Sequence, residues 1–243
     1  MSLLPANIHP SWEPLLSKNF INNLATIENE LNKLPIHTDS KHSYFPEKEN
    51  VMRFLQQDLA NLKYIILGMD PYPSWYTLDD GIHPVATGRS FEIGNVNSWQ
   101  QKFKQNSLQN IVKTIYYNKT GRKLSLSEIR NKLEENKFIL SPPHQWFDQI
   151  EQQGVLFLNA TLTVTPGCPD SHTNLWQPIM TEVIQYINEH HTVKWLLFGD
   201  KAQKRILNAL GCDYPDHACC HPRLSRFVDA NIFKLASDIN WCI

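Results

Sequence analysis

Three short apolar runs, each closed by a glycine or a polar residue, restrict the fold of this chain more than any other feature. Tyr64-Ile65-Ile66-Leu67 is closed by Gly68, Val155-Leu156-Phe157-Leu158 by Asn159, and Val193-Lys194-Trp195-Leu196-Leu197-Phe198 by Gly199-Asp200. Each is short for a helix and rich in β-branched and aromatic residues, the pattern of a strand buried on both faces. A weaker fourth run, His217-Ala218-Cys219-Cys220, ends at His221-Pro222. Between the runs, helical patterns cover 107–117, about 125–137, 174–190 (Leu175, Ile179, Val183, Ile184, Ile187) and 201–210. Upstream, Leu15, Phe20, Leu24, Ile27 and Leu31 predict a helix over 11–34, and Val51, Phe54, Leu55 and Leu59 predict a second. Short strands alternating with helices specify the α/β class: a three-layer sandwich whose central, mainly parallel four-stranded sheet is flanked by helices. With 243 residues, 42% of them hydrophobic, the chain can bury one large core, so 1–243 is read as a single domain. The 119–146 stretch, sprinkled with Lys and Glu and ending near Pro142-Pro143, is expected to be a surface insertion.

Open parallel sheets bind ligands beyond the carboxyl ends of their strands. Here those ends carry Asp70, Asn159, Asp200 and His221. A carboxylate, an amide and an imidazole are thus delivered toward one edge by separate strands. The competing reading is that Asp and Asn after strands serve as turn residues or helix N-caps. Asp200, followed directly by a helical pattern, is read as an N-cap.

Composition narrows the partner by exclusion. Lys and Arg total 23 against 24 Asp and Glu, a net charge of −1, which excludes a non-specific nucleic-acid coat protein but not a short basic track. The five cysteines are odd in number and irregularly spaced, so no disulfide framework is expected and a reducing compartment is. No stretch reaches the ~18 apolar residues of a membrane span, and the first residues lack the pattern of a secretory or transit segment. The expectation is a soluble monomer, cytoplasmic, or nuclear in a eukaryotic host, with no membrane contact. Cys212, His217, Cys219, Cys220 and His221 raise the rival of a metal or iron–sulfur site. The adjacent Cys219-Cys220 pair is a poor match to the spacing that lets two thiolates share an ion. No metal and no cofactor is expected.

Beyond these patterns, Gly68-Met69-Asp70-Pro71-Tyr72-Pro73 resembles the water-activating loop of the uracil-DNA glycosylases, in the family 1-like form with an Asp-Pro-Tyr-Pro sequence. The likeness continues through Gly154–Val164, similar to that family's uracil-recognition strand, Ser171-His172, and Trp195–Lys204. His221-Pro222-Arg223-Leu224-Ser225 resembles the loop that enters the minor groove, and Phe233 with Ile239-Asn240-Trp241 resembles the last helix and its exit. The matched blocks run in order from about Tyr44 to the C-terminus.

The resemblance implies an enzyme that flips uracil out of single- or double-stranded DNA and hydrolyses its N-glycosidic bond, leaving an abasic site. Breaking that bond puts positive charge on the sugar and negative charge on the base, so a fixed anion and well-aimed donors are needed. The resemblance gives the anion to Asp70 and a donor to the uracil O2 to His221. Asn159 matches the N3–H and O4 of uracil, and Tyr72 would exclude the methyl of thymine. Phe91 would stack on the flipped base, and the backbone of Met69 would face it. Leu224 is the candidate wedge, with Arg223 the alternative by one place, beside Pro222. Ser107, Ser225 and Lys201 would contact phosphates, with Lys204, Arg223 and Arg226 adding charge; a solvated helix face and loop is the plainer account of the basic residues. A protein inhibitor is a further partner of such a site.

The chain departs from the common family pattern. Pro73 stands where a His usually follows, Met69 replaces a Gln, and extra residues lie around Ser74–Asp80. The His-Pro loop is one residue short, and the Pro-Pro usually before Ser107 is missing. These departures keep a second function open: a glycosylase-fold protein that binds DNA or a partner with weak turnover or none.

Overall fold

The computed structural model describes residues 2–212 and 217–243. Four strands, β1 (Tyr64–Gly68), β4 (Val155–Asn159), β5 (Lys194–Phe198) and β6 (Ala218–Cys219), form one parallel sheet in the order β4-β1-β5-β6. Gly68 pairs with Asn159 in register, so β1 and β4 end level with one another at the edge where their following loops diverge. Two further strands, β2 (Trp75–Leu78) and β3 (Gly81–Pro84), form a separate antiparallel hairpin.

Every residue of β1 and β4 is buried. The period-2 alternation of a strand divides them between two cores. Ile65 and Leu67 pack with α1 (Lys18–Asn32), α5 (Thr173–His190) and α6 (Asp200–Leu210) through Leu24, Ile27, Val183, Ile184 and Ile206. Tyr64, Ile66 and Phe157 face the opposite layer, made by α2 (Asn106–Thr120), α3 (Leu126–Glu134) and α4 (Pro143–Gln152). A side chain of this size contributes about 1.5–3 kcal/mol on full burial, which is why these continuous apolar runs fix the centre of the sheet. The short α7 (Ile232–Leu235) closes the second core beside Trp241.

Four local expectations are corrected. The 119–146 stretch is no surface addition: Leu126, Ile129, Phe138, Leu140 and Trp146 are buried in the second core. Its Lys and Glu residues lie on the outer faces of amphipathic helices, and averaging over such a helix hides its apolar stripe. A capping box opens α3, with Ser125 Oγ accepting from the Glu128 N–H and Glu128 from the Ser125 N–H. The helix expected through Val51–Leu59 is a series of 3-10 turns at Lys48–Asn50, Arg53–Gln56 and Leu59–Asn61. An i, i+3 spacing lies on one face in that tighter geometry too, so the apolar pattern did not distinguish them. The helix expected over 11–34 is split into a 3-10 segment, Pro10–Leu15, and α1, which Ser17 caps through its side chain. Asp200 does not cap α6: Gly199 occupies that place and Asp200 is the first helical residue.

Candidate active site

Beyond the carboxyl ends of the strands lies a cavity of about 430 Å³, lined by Met69, Asp70, Tyr72, Phe91, Asn159 and His221 among others. Its floor depends on a missing side chain. A Cβ on Gly68 would stand 2.7 Å from Asn159 Oδ1 and 2.7 Å from the Ser90 Cβ. Glycine at the end of β1 therefore lets the buried Asn159 amide occupy the gap beside it. Among the described residues no hydrogen bond engages the Asn159 side chain, so its oxygen and its NH₂ group remain for a ligand.

Asp70 follows β1 by two residues and is half-buried. Burial pushes its carboxyl above the usual carboxylate range; the Asp170 N–H, donating to Oδ2 at 2.8 Å, pulls it back down. The charge of Asp170 raises it further and that of Lys201 lowers it. Lys201 Nζ itself pairs with Asp170 Oδ2 at 2.5 Å. The expected phosphate contact Lys201 is thus engaged within the cavity wall. The segment containing Asp170 is stitched to the Asp70 loop a second time, by the Gly167 N–H donating to the Pro73 carbonyl at 2.8 Å.

His221 comes from the loop after β6. Gly199 has φ +100°, and a Cβ there would lie 2.9 Å from the Cβ of His221, so the close approach of this loop to the end of β5 requires glycine. The Arg223 N–H donates to His221 Nδ1 at 3.1 Å. Nδ1 is therefore the acceptor nitrogen, and a neutral ring carries its proton on Nε2. Burial first, then the charges of Arg223 and Lys201, hold this imidazole below its ordinary value, which favours that neutral form. Asn110 of α2 ties the loop down, its Nδ2 donating to the carbonyls of Pro222 at 2.7 Å and Leu224 at 3.3 Å.

The remaining expected residues divide into those at the cavity and those outside it. Ser107, Arg223 and Leu224 line it; Ser107 is buried in the first turn of α2, whereas Leu224 is 39% exposed at the rim. Pro222 is buried and Ser225 exposed, and neither lines the cavity. The Tyr72 ring faces the cavity, with its hydroxyl buried and unpartnered among the described residues, and burial pushes that hydroxyl's pKa far up.

Phe91 adopts φ +66°, in a left-handed region that a bulky side chain enters at a cost. Its ring lies 5.6 Å from that of Phe198 and 6.2 Å from that of His221, centroid to centroid. Phe91 is flanked in sequence by Arg89 and Glu92, the buried members of a charge cluster. Arg89 binds Glu92 at 3.1 Å, Asp148 at 2.6 Å and Glu151 at 2.5 Å. Glu92 also accepts from Thr87 Oγ1 at 2.5 Å and meets His144 Nδ1 at 2.9 Å. Burial opposes the Glu92 carboxylate, but His144, Arg89 and Thr87 bring it below its usual value. Arg89, Glu92, Asn110 and Asp170 all escaped the sequence reading. Only the run Gly88-Arg89-Ser90-Phe91-Glu92, two charges bracketing an aromatic, hinted at the cluster.

Among the described residues no group of three His, Cys, Asp or Glu side chains is placed to hold a metal ion. Burial and the neighbouring Cys220 push the Cys219 thiol up to about 12, so it is a neutral thiol there. No helix among the described residues is long and apolar enough to cross a membrane.

A carboxylate, an amide and an imidazole thus converge, from the ends of separate parallel strands, on a cavity walled by two aromatic rings. This defines an α/β protein with a strand-end pocket for a flat, polar, hydrogen-bonding ligand. No protein-family model matches the chain. Relatives named uracil-DNA glycosylase do. The one from Amoebophilus asiaticus is 31% identical over 205 residues, 83% of this chain and 78% of that protein. The one from Francisella tularensis subsp. novicida is 30% identical over 213 residues, 81% and 83%. The one from Buchnera aphidicola subsp. Baizongia pistaciae is 35% identical over 169 residues, 68% of this chain and 62% of that protein, slightly under two thirds of its length. Among solved structures, wild-type UNG from Nitratifractor salsuginis superposes with a TM-score of 0.73 at 19% identity, over 98% of this chain and 93% of that one. Mimivirus uracil-DNA glycosylase does so with a TM-score of 0.60 at 20% identity, over 90% and 70%. A mimivirus UNG variant in complex with UGI gives 0.61 at 20% identity, over 90% and 71%. The structural likenesses establish the fold, and the sequence relatives establish the family: this chain belongs to the uracil-DNA glycosylases.

Proposed function

We propose that the chain is a hydrolase that excises uracil from DNA, cutting the N-glycosidic bond and leaving an abasic site. The observation that carries this reading is the convergence of Asp70, Asn159 and His221 on one cavity with Phe91 and Tyr72. Within the stack the bond is out of reach, so the nucleotide must be extruded into the pocket. Phe91 then stacks on the base and Asn159 pairs its NH₂ with O4 and its oxygen with N3–H. Cytosine presents the reverse pattern and is refused. The Tyr72 ring stands where the methyl of thymine would fall.

As the bond lengthens, Asp70 stabilises the cationic sugar and orients the attacking water, whose oxygen bonds to C1′ as one of its protons passes to the Asp70 carboxylate. The leaving uracil takes the bonding pair, and the Nε2–H of His221 donates to its O2, where charge accumulates. Uracil is a good enough anion to leave without full protonation, so a second acid of the O-glycosidase kind is unnecessary. Leu224, at the exposed rim, fills the space left by the extruded base. The Asp-Pro-Tyr-Pro sequence of the loop supports the family 1-like form, and the reading is completed by a monomer acting in the cytoplasm, or in the nucleus of a eukaryotic host. The UGI-bound neighbour motivates a protein inhibitor as a partner of the same cavity. The test is base release from single-stranded and duplex oligonucleotides carrying uracil, thymine or cytosine at one position. Uracil alone is expected to be released, and absence of release above a blank at micromolar enzyme overturns the reading.

A further inference from the structure

Asp170 and Lys201 form an ion pair with side chains 46% and 59% exposed, respectively. An exposed pair of this kind adds little to the stability of the fold. Its position is what matters. Asp170 has φ +64°, and its backbone N–H bonds the Asp70 carboxylate, while its own carboxylate is anchored on the first turn of α6. The Asp170 carbonyl is held as well, accepting from Thr173 Oγ1 at 3.0 Å. Asp170 and Lys201, with Met69, line both the cavity and a neighbouring groove of about 410 Å³ bordered by Lys204, Arg205 and Asn174, so the pair stands between the two spaces. Pro73, which follows the Asp70 loop's Tyr72, has no side-chain donor that could orient the carboxylate.

Resting on the function proposed above, we infer that Asp170 and Lys201 are positioning residues that latch Asp70 from the α6 side. The Asp170 amide occupies Oδ2 and leaves Oδ1 for water, and the ion pair keeps the amide in place. Neither side chain touches the base or the sugar. The two partners also pull Asp70 in opposite electrostatic directions, Asp170 against its ionisation and Lys201 for it. Among the described residues, the other charged or titratable groups at the cavity are Tyr72 from the Asp70 loop, Cys220, His221 and Arg223 after β6, Asp200 on α6, and Arg89 and Arg226. Lys201 depresses His221 too, so its removal moves both active-site groups upward.

The test compares the wild type with Lys201→Met, Asp170→Gly and Asp170→Asn. The glycine variant accepts the positive φ and keeps the amide while removing the anchor. Two readouts are needed: the pH profile of kcat on a short single-stranded uracil oligonucleotide, and a carbon-13 NMR titration of the Asp70 carboxyl in the free protein, assigned with Asp70→Asn. Lys201→Met and Asp170→Gly, which release the amide from Oδ2, are expected to move the acid limb and the Asp70 titration to higher pH, and Asp170→Asn, which still accepts from Lys201 but loses the charge, to move them to lower pH. Plateau kcat should fall about tenfold in Lys201→Met and Asp170→Gly, with KM changed less than about twofold, as for a misplaced catalytic group. Melting temperatures near the wild type would establish that all three fold. Unmoved titrations, or an Asp170→Gly titration that falls together with that of Asp170→Asn, overturn the latch. A raised KM with weaker salt dependence but intact kcat and titration also overturns it, making Lys201 a plain phosphate contact. The NMR titration decides the latch even if the wild type releases no uracil, an outcome that sinks the proposed reaction instead.

Discussion

The two walls of the cavity are built by different physics. The inner wall, Phe91 and Asn159 with Gly68 and Ser90 packed behind them, is buried, and the ionic cluster around Arg89 and Glu92 backs it. The outer wall, Asp170, Lys201, Arg223 and Leu224, is exposed and rests on single hydrogen bonds and one ion pair. A base must be read against fixed groups, so the recognising side is locked by packing. A DNA strand must enter and leave, so the contacting side is held by interactions that water can replace.

Substitutions on each side should break or sharpen that division. The largest effect is expected for Asp70→Asn, at the junction of the walls. Uracil release should fall about 10³-fold, ~4 kcal/mol at about 1.4 kcal/mol per tenfold, on every substrate. A milder loss, measured under single turnover, would deny Asp70 the central role. Next is Glu92→Gln, which leaves Arg89 and His144 partly unpaired in a buried cluster and should cost about 3 kcal/mol in urea unfolding. The Glu92 carboxyl is held below its ordinary value in the fold, so its contribution is complete above the ordinary Glu range and is lost as pH falls through the lowered value. The Gln variant should lose that part of the acid dependence of stability. Unfolding curves that coincide at all pH values would remove the cluster from the inner wall.

Gly68→Ala should follow, at about 2 kcal/mol, because its Cβ displaces Asn159 or Ser90. The rate should drop on single-stranded and duplex uracil alike, together with the discrimination against cytosine. Leu224→Ala, on the outer wall, should cost about 1 kcal/mol, several-fold in rate, and only on duplex DNA, where the space left by the base must be filled. Equal losses on both substrates would erase the distinction between the walls.

Legibility in the sequence follows the same division. The strands of the sheet and the residues that end them could be read directly, because a fully buried strand must be apolar along its whole length and its end is marked by the first polar residue. Asp70, Asn159 and His221 stand out that way as strand-end residues, alongside Asp200, without the family resemblance. The latch and the cluster could not be. Asp170 acts on Asp70 through a backbone N–H, which every residue but proline has. Arg89 reaches Asp148 and Glu151 on α4, a helix whose place against β4 is set by tertiary packing. Asn110 lies mid-helix and reads as an ordinary polar position until the His221 loop is laid across it. The β2–β3 hairpin, too, was hidden within residues read only as extra.

The strand order carries one more consequence, for how the molecule comes into being. β1 sits between β4 and β5, and its pairing partners begin at Val155 and Lys194. During synthesis its apolar face has no strand to meet until much of the remaining chain has been made. Contacts this distant in sequence slow folding. The nascent chain therefore carries this apolar segment unpaired until Val155 and then Lys194 have been added, and the strand that leads into Asp70 is flanked on both sides only after that.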